Sequence, residues 1–169
     1  MSEKELRRMF VQASRLCEAH FATYGEISPM WHAMTSSDET IIEPHPIYLV
    51  DKDIAMALVR AFFDARDVVR YVYIGEAWTL NTLVKREEVD ALLRDGIADH
   101  PGRVEIVPLQ GEDRECGQII GQRKIIRPKE GKPYLGPLEM VGDLIPASEQ
   151  ISQSEGRMVG VLPVRGTRQ

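Results

Sequence analysis

Between positions 32 and 53 lie His32, Glu43, His45, Asp51 and Asp53, side chains of the types that hold zinc, manganese or iron through imidazole and carboxylate donors. A hairpin could gather His32, Glu43 and His45, which are the candidate metal ligands. The spacing does not demand a metal. His32 also suits a sheet, His45 a loop between Pro44 and Pro46, and Asp51 and Asp53 the start of a helix. No cofactor is required by the sequence. A second chemistry would pair Glu26 with Glu76 as general acid and base, one tuned by apolar strand neighbours and the other near solvent. A third is electrostatic: residues 123–132 hold Arg123, Lys124, Arg127, Lys129 and Lys132 against a single acid, Glu130, and could meet a phosphate or an acidic partner. Used structurally, the same run is a solvated hairpin rim that keeps an edge strand from aggregating.

Glu76 is unusual because of what surrounds it. Residues 70–80, RYVYIGEAWTL, are β-branched and aromatic, which predicts one long central strand. Alternation puts Val72, Ile74, Glu76, Trp78 and Leu80 on one face and Tyr71, Tyr73, Gly75, Ala77 and Thr79 on the other. A carboxylate among such neighbours must be paired, hydrogen-bonded, near solvent, or displaced by a bulge at Gly75. A structural role is preferred over catalysis, since ion pairs perturb carboxylates as readily as active sites do.

The elements that position these groups can be read from periodicity. Leu6, Met9, Phe10, Ala13, Leu16, Cys17, Phe21 and Tyr24 mark one face of an N-terminal helix, with Ser2 and Glu5 as a capping box and Gly25 as its stop. Residues 30–34 and 40–43 predict a hairpin around the turn 36–39. A second helix follows Asp51 or Asp53, and its apolar breadth, from Ile54 through Ala65, predicts burial on more than one side. If the Gly75 and Ala77 face meets that helix, the small residues permit close approach. A third, peripheral helix fits residues 85–95. Residues 103–110 and 115–127 predict strands joined by a turn at 111–114, with 134–141 as the next strand of a meander. Residues 142–156 read as a polar connector, 158–162 as a short docking strand and 166–169 as a frayed end.

With 169 residues, 43% hydrophobic and 28% charged, the chain is expected to form one globular domain spanning 1–169. Its formal net charge is −5. The first 85 residues carry 9 basic and 12 acidic side chains and the rest 12 and 14, so neither half is a basic module and generic nucleic-acid binding is disfavoured. No window has the length of an apolar membrane span, and residues 2–8 mix charges without a secretory pattern, so the cytosol is the expected compartment. Cys17 and Cys116 form no Cys-x-x-Cys pair; Cys17 sits on the helical stripe as a small hydrophobe.

Three local phrases resemble an uncharacterised α+β family of bacteria and phages: Gly25-Glu26-Ile27-Ser28-Pro29 after a helix, Glu76-Ala77-Trp78 within a strand, and Arg103-Val104-Glu105 opening a hairpin that ends near Ile125-Ile126-Arg127. The likeness covers about two thirds of the chain, with 83–102 as an insertion, and implies a fold but no activity. Glu43-Pro44-His45-Pro46 is superficially similar to the His-x-His-Pro element of metal-dependent deubiquitinases, but Glu43 replaces the first histidine and the downstream Ser-x-x-Asp is missing.

The expected architecture is α+β: a mainly antiparallel sheet of five or six strands, two helices on one face and a third at the periphery. The preferred functional reading is a non-enzymatic accessory protein that self-associates, a dimer being favoured, or binds an acidic or phosphorylated partner through 123–132 and neighbouring aromatics. The alternative is a small hydrolase, metal-dependent or carboxylate-based, using Glu26, His32, Glu43, His45 and Glu76.

Overall fold

An apolar side chain at every third or fourth position makes α1 (Ser2–Tyr24) a helix with one buried stripe, Leu6, Met9, Phe10, Ala13, Cys17 and Phe21. Gly25 ends it at φ +77°, where its N–H bonds the Phe21 carbonyl. The capping box does not form: the Ser2 hydroxyl donates to Asp113 and Glu5 pairs with Arg70, so both residues tie the helix to the sheet instead. This computed structural model describes residues 2–46, 51–80, 86–97, 99–146 and 161–162. Among them no helix is long and apolar enough to cross a membrane.

The predicted first hairpin is present as β1 (Met30–Thr35) and β2 (Thr40–Pro44), antiparallel, with Trp31 opposite Glu43. Asp51 caps α2 (Lys52–Ala65) by accepting from the amides of Asp53 and Ile54. The single strand expected over 70–80 is instead two, β3 (Val68–Ile74) and β4 (Ala77–Leu80), both paired with β5 (Arg103–Asp113). Their register is continuous, Ile74 opposite Leu109 and Ala77 opposite Ile106. Two residues on each side therefore lie in the gap, Gly75 and Glu76 against Val107 and Pro108. Nothing is inserted, so this is an interruption rather than a bulge, and Pro108, with no N–H to donate, sits in it. The ladder does shift register at Met34 and Thr35 against β3.

The third helix is α3 (Arg86–Asp95). Strand β5 runs on through Gly111, Glu112 and Asp113, which sequence assigns to a turn; the turn falls at 114–116 before β6 (Gly117–Ile126). The expected meander strand is two short pieces, β7 (Tyr134–Leu135) and β8 (Glu139–Met140), both on β6. The sheet order is β2-β1-β3-β5-β6-β7, with β4 on β5 and β8 on β6, all antiparallel, and the α+β class holds.

The two helices do not share a face. Helix α1 packs with Val72, Ile74, Val107, Leu109, Ile119 and Ile125, whereas α2 packs with Trp31, Ala33, Val68 and Tyr71. Alternation explains this, because Tyr71 and Val72 point oppositely and each side of the strand is apolar enough to need its own cover. On the α1 side Phe10 rests on two glycines: a Cβ at Gly111 or Gly121 would lie 3.0 Å from its ring. Close approach therefore occurs at this face. On the α2 side, a Cβ at Gly75 would meet Tyr73 and not a helix.

Helix α2 buries only Ala55, Met56, Val59 and Phe63; Ile54 and Leu58 are about half exposed, so its breadth does not mean burial on two sides. Val161 and Leu162 join this second core, and Ile145 bridges to Gln118. The remainder of the connector, 147–156, the residues 158–160 and the end 166–169 lie outside the described residues.

Candidate functional site

Because α1 stops at Gly25, it covers only part of its face of the sheet. The Ile27 N–H donates to Glu76 Oε1 at 2.7 Å, fixing the end of the helix at the break between β3 and β4. Beyond that point β4, the start of β5 and the end of β6 carry a surface left uncovered by the described residues. A groove of about 330 Å³ runs over it, lined by Glu76, Ala77, Trp78, Glu105, Ile125 and Arg127.

Trp78 dominates this surface and is 48% exposed. It stands opposite Glu105 on β5, and Arg103, two residues along, holds its guanidinium 5.0 Å from the indole centroid. Such diagonal neighbours are within reach of long side chains, and an exposed cation over a tryptophan is worth about 0.5–1 kcal/mol. Arg103 makes no ion pair among the described residues. Arg127 donates to Glu105 at 2.7 Å, which orients both along the groove.

The basic run is divided by its own geometry. Arg123 is buried under α1, donating to Ser14 at 2.8 Å, to the Gly136 carbonyl at 2.8 Å and to Glu18 at 3.0 Å. Lys124 points to the other face, 3.5 Å from Glu139. Only Arg127, Lys129 and Lys132 are exposed, at the groove end of β6 and just past it. A strand cannot present consecutive cations on one side, and Arg123 serves as a clamp for the helix.

Glu26 and Glu76 are both exposed. Glu76 holds the backbone one residue after Glu26, and no hydrogen bond joins the two carboxylates among the described residues. Glu76 thus satisfies two of the expected conditions together, a hydrogen bond and solvent.

The metal candidates are separated. His32 lies opposite Val72, on the α1 side, buried, with its Nδ1 unpartnered. On the α2 side, His45 accepts from the Trp31 indole at 3.1 Å, and Glu43 stands opposite Trp31. Burial lowers the pKa of both histidines, which favours neutral rings. Asp51 is committed to the α2 cap and Asp53 lies in its first turn. Among the described residues no three of these side-chain types converge on a metal-sized site.

Both thiols are held protonated. Burial pushes Cys17 up to about 12 and Cys116 up to about 11. A further buried group escaped the sequence analysis. Glu112, 3% exposed, accepts from Tyr71 at 2.6 Å and from Gln118 at 3.4 Å, and also from the Val161 backbone. Burial raises its pKa in spite of those donors. No local motif marks Glu112, since its partners come from β3, β6 and the C-terminal segment. Arg103 and Glu105 were missed as site residues for a similar reason: their relation to Trp78 exists only in the register of β4 with β5. Compared with family models, curated proteins and solved structures, the chain matches none.

Proposed function

We propose that this protein is a non-enzymatic binding domain that captures an acidic or phosphorylated partner at the end of its sheet that α1 leaves uncovered. The observation that carries this reading is the half-exposed Trp78 with the Arg103 guanidinium laid over it beside a preformed groove. Aromatic and arginine side chains together are the usual anchors of binding surfaces, because they combine large contact area with planar, directional donors. Arg127, Lys129 and Lys132 extend the cationic character from the groove end of β6 into the residues that follow it, while Arg123 and Lys124 stand apart from that surface. An array of acidic and phosphoserine peptides probed with wild type and Arg103→Glu tests it. Peptides retained by wild type and lost by the variant are expected; equal retention, or none by wild type, overturns the proposal.

Self-association is a second reading, supported by the position of β2 at the edge of the sheet formed by the described residues, where Ile42 is 53% exposed. An open edge with an apolar side chain suits pairing with another copy. Native mass spectrometry across protein concentration should show a dimer that Ile42→Lys weakens. A monomer at every concentration rejects it.

A further inference from the structure

A second concavity lies on the opposite side of the sheet, independent of the Trp78 surface. It has a volume of about 200 Å³, the share of roughly seven waters in the liquid. Its walls come from β1, the edge of β2 and α2: Trp31, Pro44, Leu58, Phe62 and Phe63, with Glu43 the only ionisable lining residue among those described. Trp31 is locked by rings on several sides, with centroids of Tyr73, Tyr71 and Phe63 at 4.7, 5.2 and 5.4 Å. The floor is therefore rigid and preformed. Glu43 is exposed and has no hydrogen bond or ion pair among the described residues. His45 stands behind Trp31, and its Nδ1 is occupied by the indole N–H.

We infer that this cleft binds a small protonated amine with an apolar body, its hydrocarbon against Trp31, Leu58, Phe62 and Phe63 and its ammonium at Glu43. Apolar walls with one oriented polar group are what a small-molecule site needs, since the walls supply affinity and the single charge supplies selection. The charge selects in one direction. A carboxylate ligand would meet Glu43 as a like charge, a neutral ligand would leave it merely solvated, and an ammonium would pair with it. Burial biases the His45 ring toward its neutral form, which lessens competition by an imidazolium for Glu43.

The test is a two-dimensional NMR titration of the whole protein with n-hexylamine, n-hexanol and hexanoate, following the aromatic resonances of Trp31, Phe62 and Phe63 and the Trp78 indole. Hexylamine should bind most tightly and hexanoate least, with shifts at the first three residues and none at Trp78. Glu43→Gln should weaken hexylamine about fivefold, the strength of a partly exposed ion pair, and leave hexanol unchanged. Leu58→Glu should weaken the hexanol and leave the fold intact, because Leu58 is half exposed. Equal affinity for amine and alcohol, insensitivity to Glu43→Gln, or shifts confined to Trp78 would each overturn the inference. The last result would leave the sheet-end surface as the site of binding.

Discussion

Glu112 and Asp113 are consecutive residues of β5, both almost fully buried, yet they face opposite sides of the sheet and are held in opposite ways. Asp113 looks toward the start of α1. The Ser2 hydroxyl, the amides of Glu115 and Cys116, and Arg70 at 3.0 Å converge on it, and Arg70 also reaches Glu5 at 2.6 Å. Burial is the largest single influence and would raise its pKa, but the donors together outweigh it and hold the group below its ordinary range. Glu112 looks toward α2 and Val161. It has hydrogen bonds from Tyr71, Gln118 and the Val161 amide with the Arg60 charge nearby, and there burial prevails. The contrast teaches that near-complete exclusion from solvent does not by itself fix the protonation state a fold prefers: the balance between desolvation and the donors and charges around each group does.

The same contrast extends to packing. The α1 face is pinned by arginines along its length, Arg70 near Ser2 and Arg123 beside Ser14 and Glu18, and is drawn close over Gly111 and Gly121. The α2 face is built around interlocked rings, Trp31, Phe63 and Tyr71.

The sharpest way to break this comparison is to remove each carboxylate. Asp113→Ala leaves Arg70 with Glu5 alone and deprives Ser2 and the turn amides of their acceptor, and should cost about 3 kcal/mol, since several hydrogen bonds to one charged group are lost together. Urea denaturation should show Glu112→Ala costing less. Equal costs would mean that the two faces are not held differently. Next in size, Gly121→Ala forces a methyl to 3.0 Å from Phe10 and 3.1 Å from the Glu139 carbonyl, for an expected loss of about 1–3 kcal/mol. Gly75→Ala meets the end of the Tyr73 side chain at the same 3.0 Å and should cost less, because that ring can move while a backbone carbonyl resists. Thermal melts of the pair would reveal whether close approach belongs to the α1 face alone.

The smallest effect is a difference in slope with pH. Asp113, lowered in the fold, contributes stability that is present above the ordinary carboxylate range and is lost as pH falls through its lowered native value. Glu112, raised in the fold, contributes stability that is present below that range and is lost as pH rises through its raised native value. Glu112→Gln should therefore flatten the stability profile on the alkaline side of the ordinary range and leave the acid limb, governed by Asp113, in place. A wild-type acid limb that disappears in Glu112→Gln would reverse the assignment.

The order of elements was readable because each one announces itself locally. Helix α1 follows from the stripe between Leu6 and Phe21, β1 and β2 from short β-forming runs around a polar turn, and α3 from residues 85–95 with little error. Errors arose where two strands had to be known at once. The break at Gly75 and Glu76 accompanies Pro108 on the neighbouring strand, more than thirty positions away, and the predicted turn at 111–114 became strand because Gly111, Glu112 and Asp113 had partners in both β3 and β6. At the sites, Trp78 and the basic run were visible as residue types. Their meaning was not, since Arg123 is absorbed by α1, Lys124 by Glu139, and Arg103 becomes relevant only by standing two residues from Trp78's partner.

By itself the sequence determined the local periods, the helix stop at Gly25 and the cap at Asp51, and hence the α+β class, because these depend on residues within a turn or a strand of one another. Tertiary structure alone decided that α1 and α2 lie on opposite faces, that His32 is divided from Glu43 and His45, and that Glu112 and Asp113 are held with opposite preferences. Those outcomes turn on which way an alternating strand faces and which distant donors desolvate or satisfy each group, and neither is encoded in the spacing of residues along the chain.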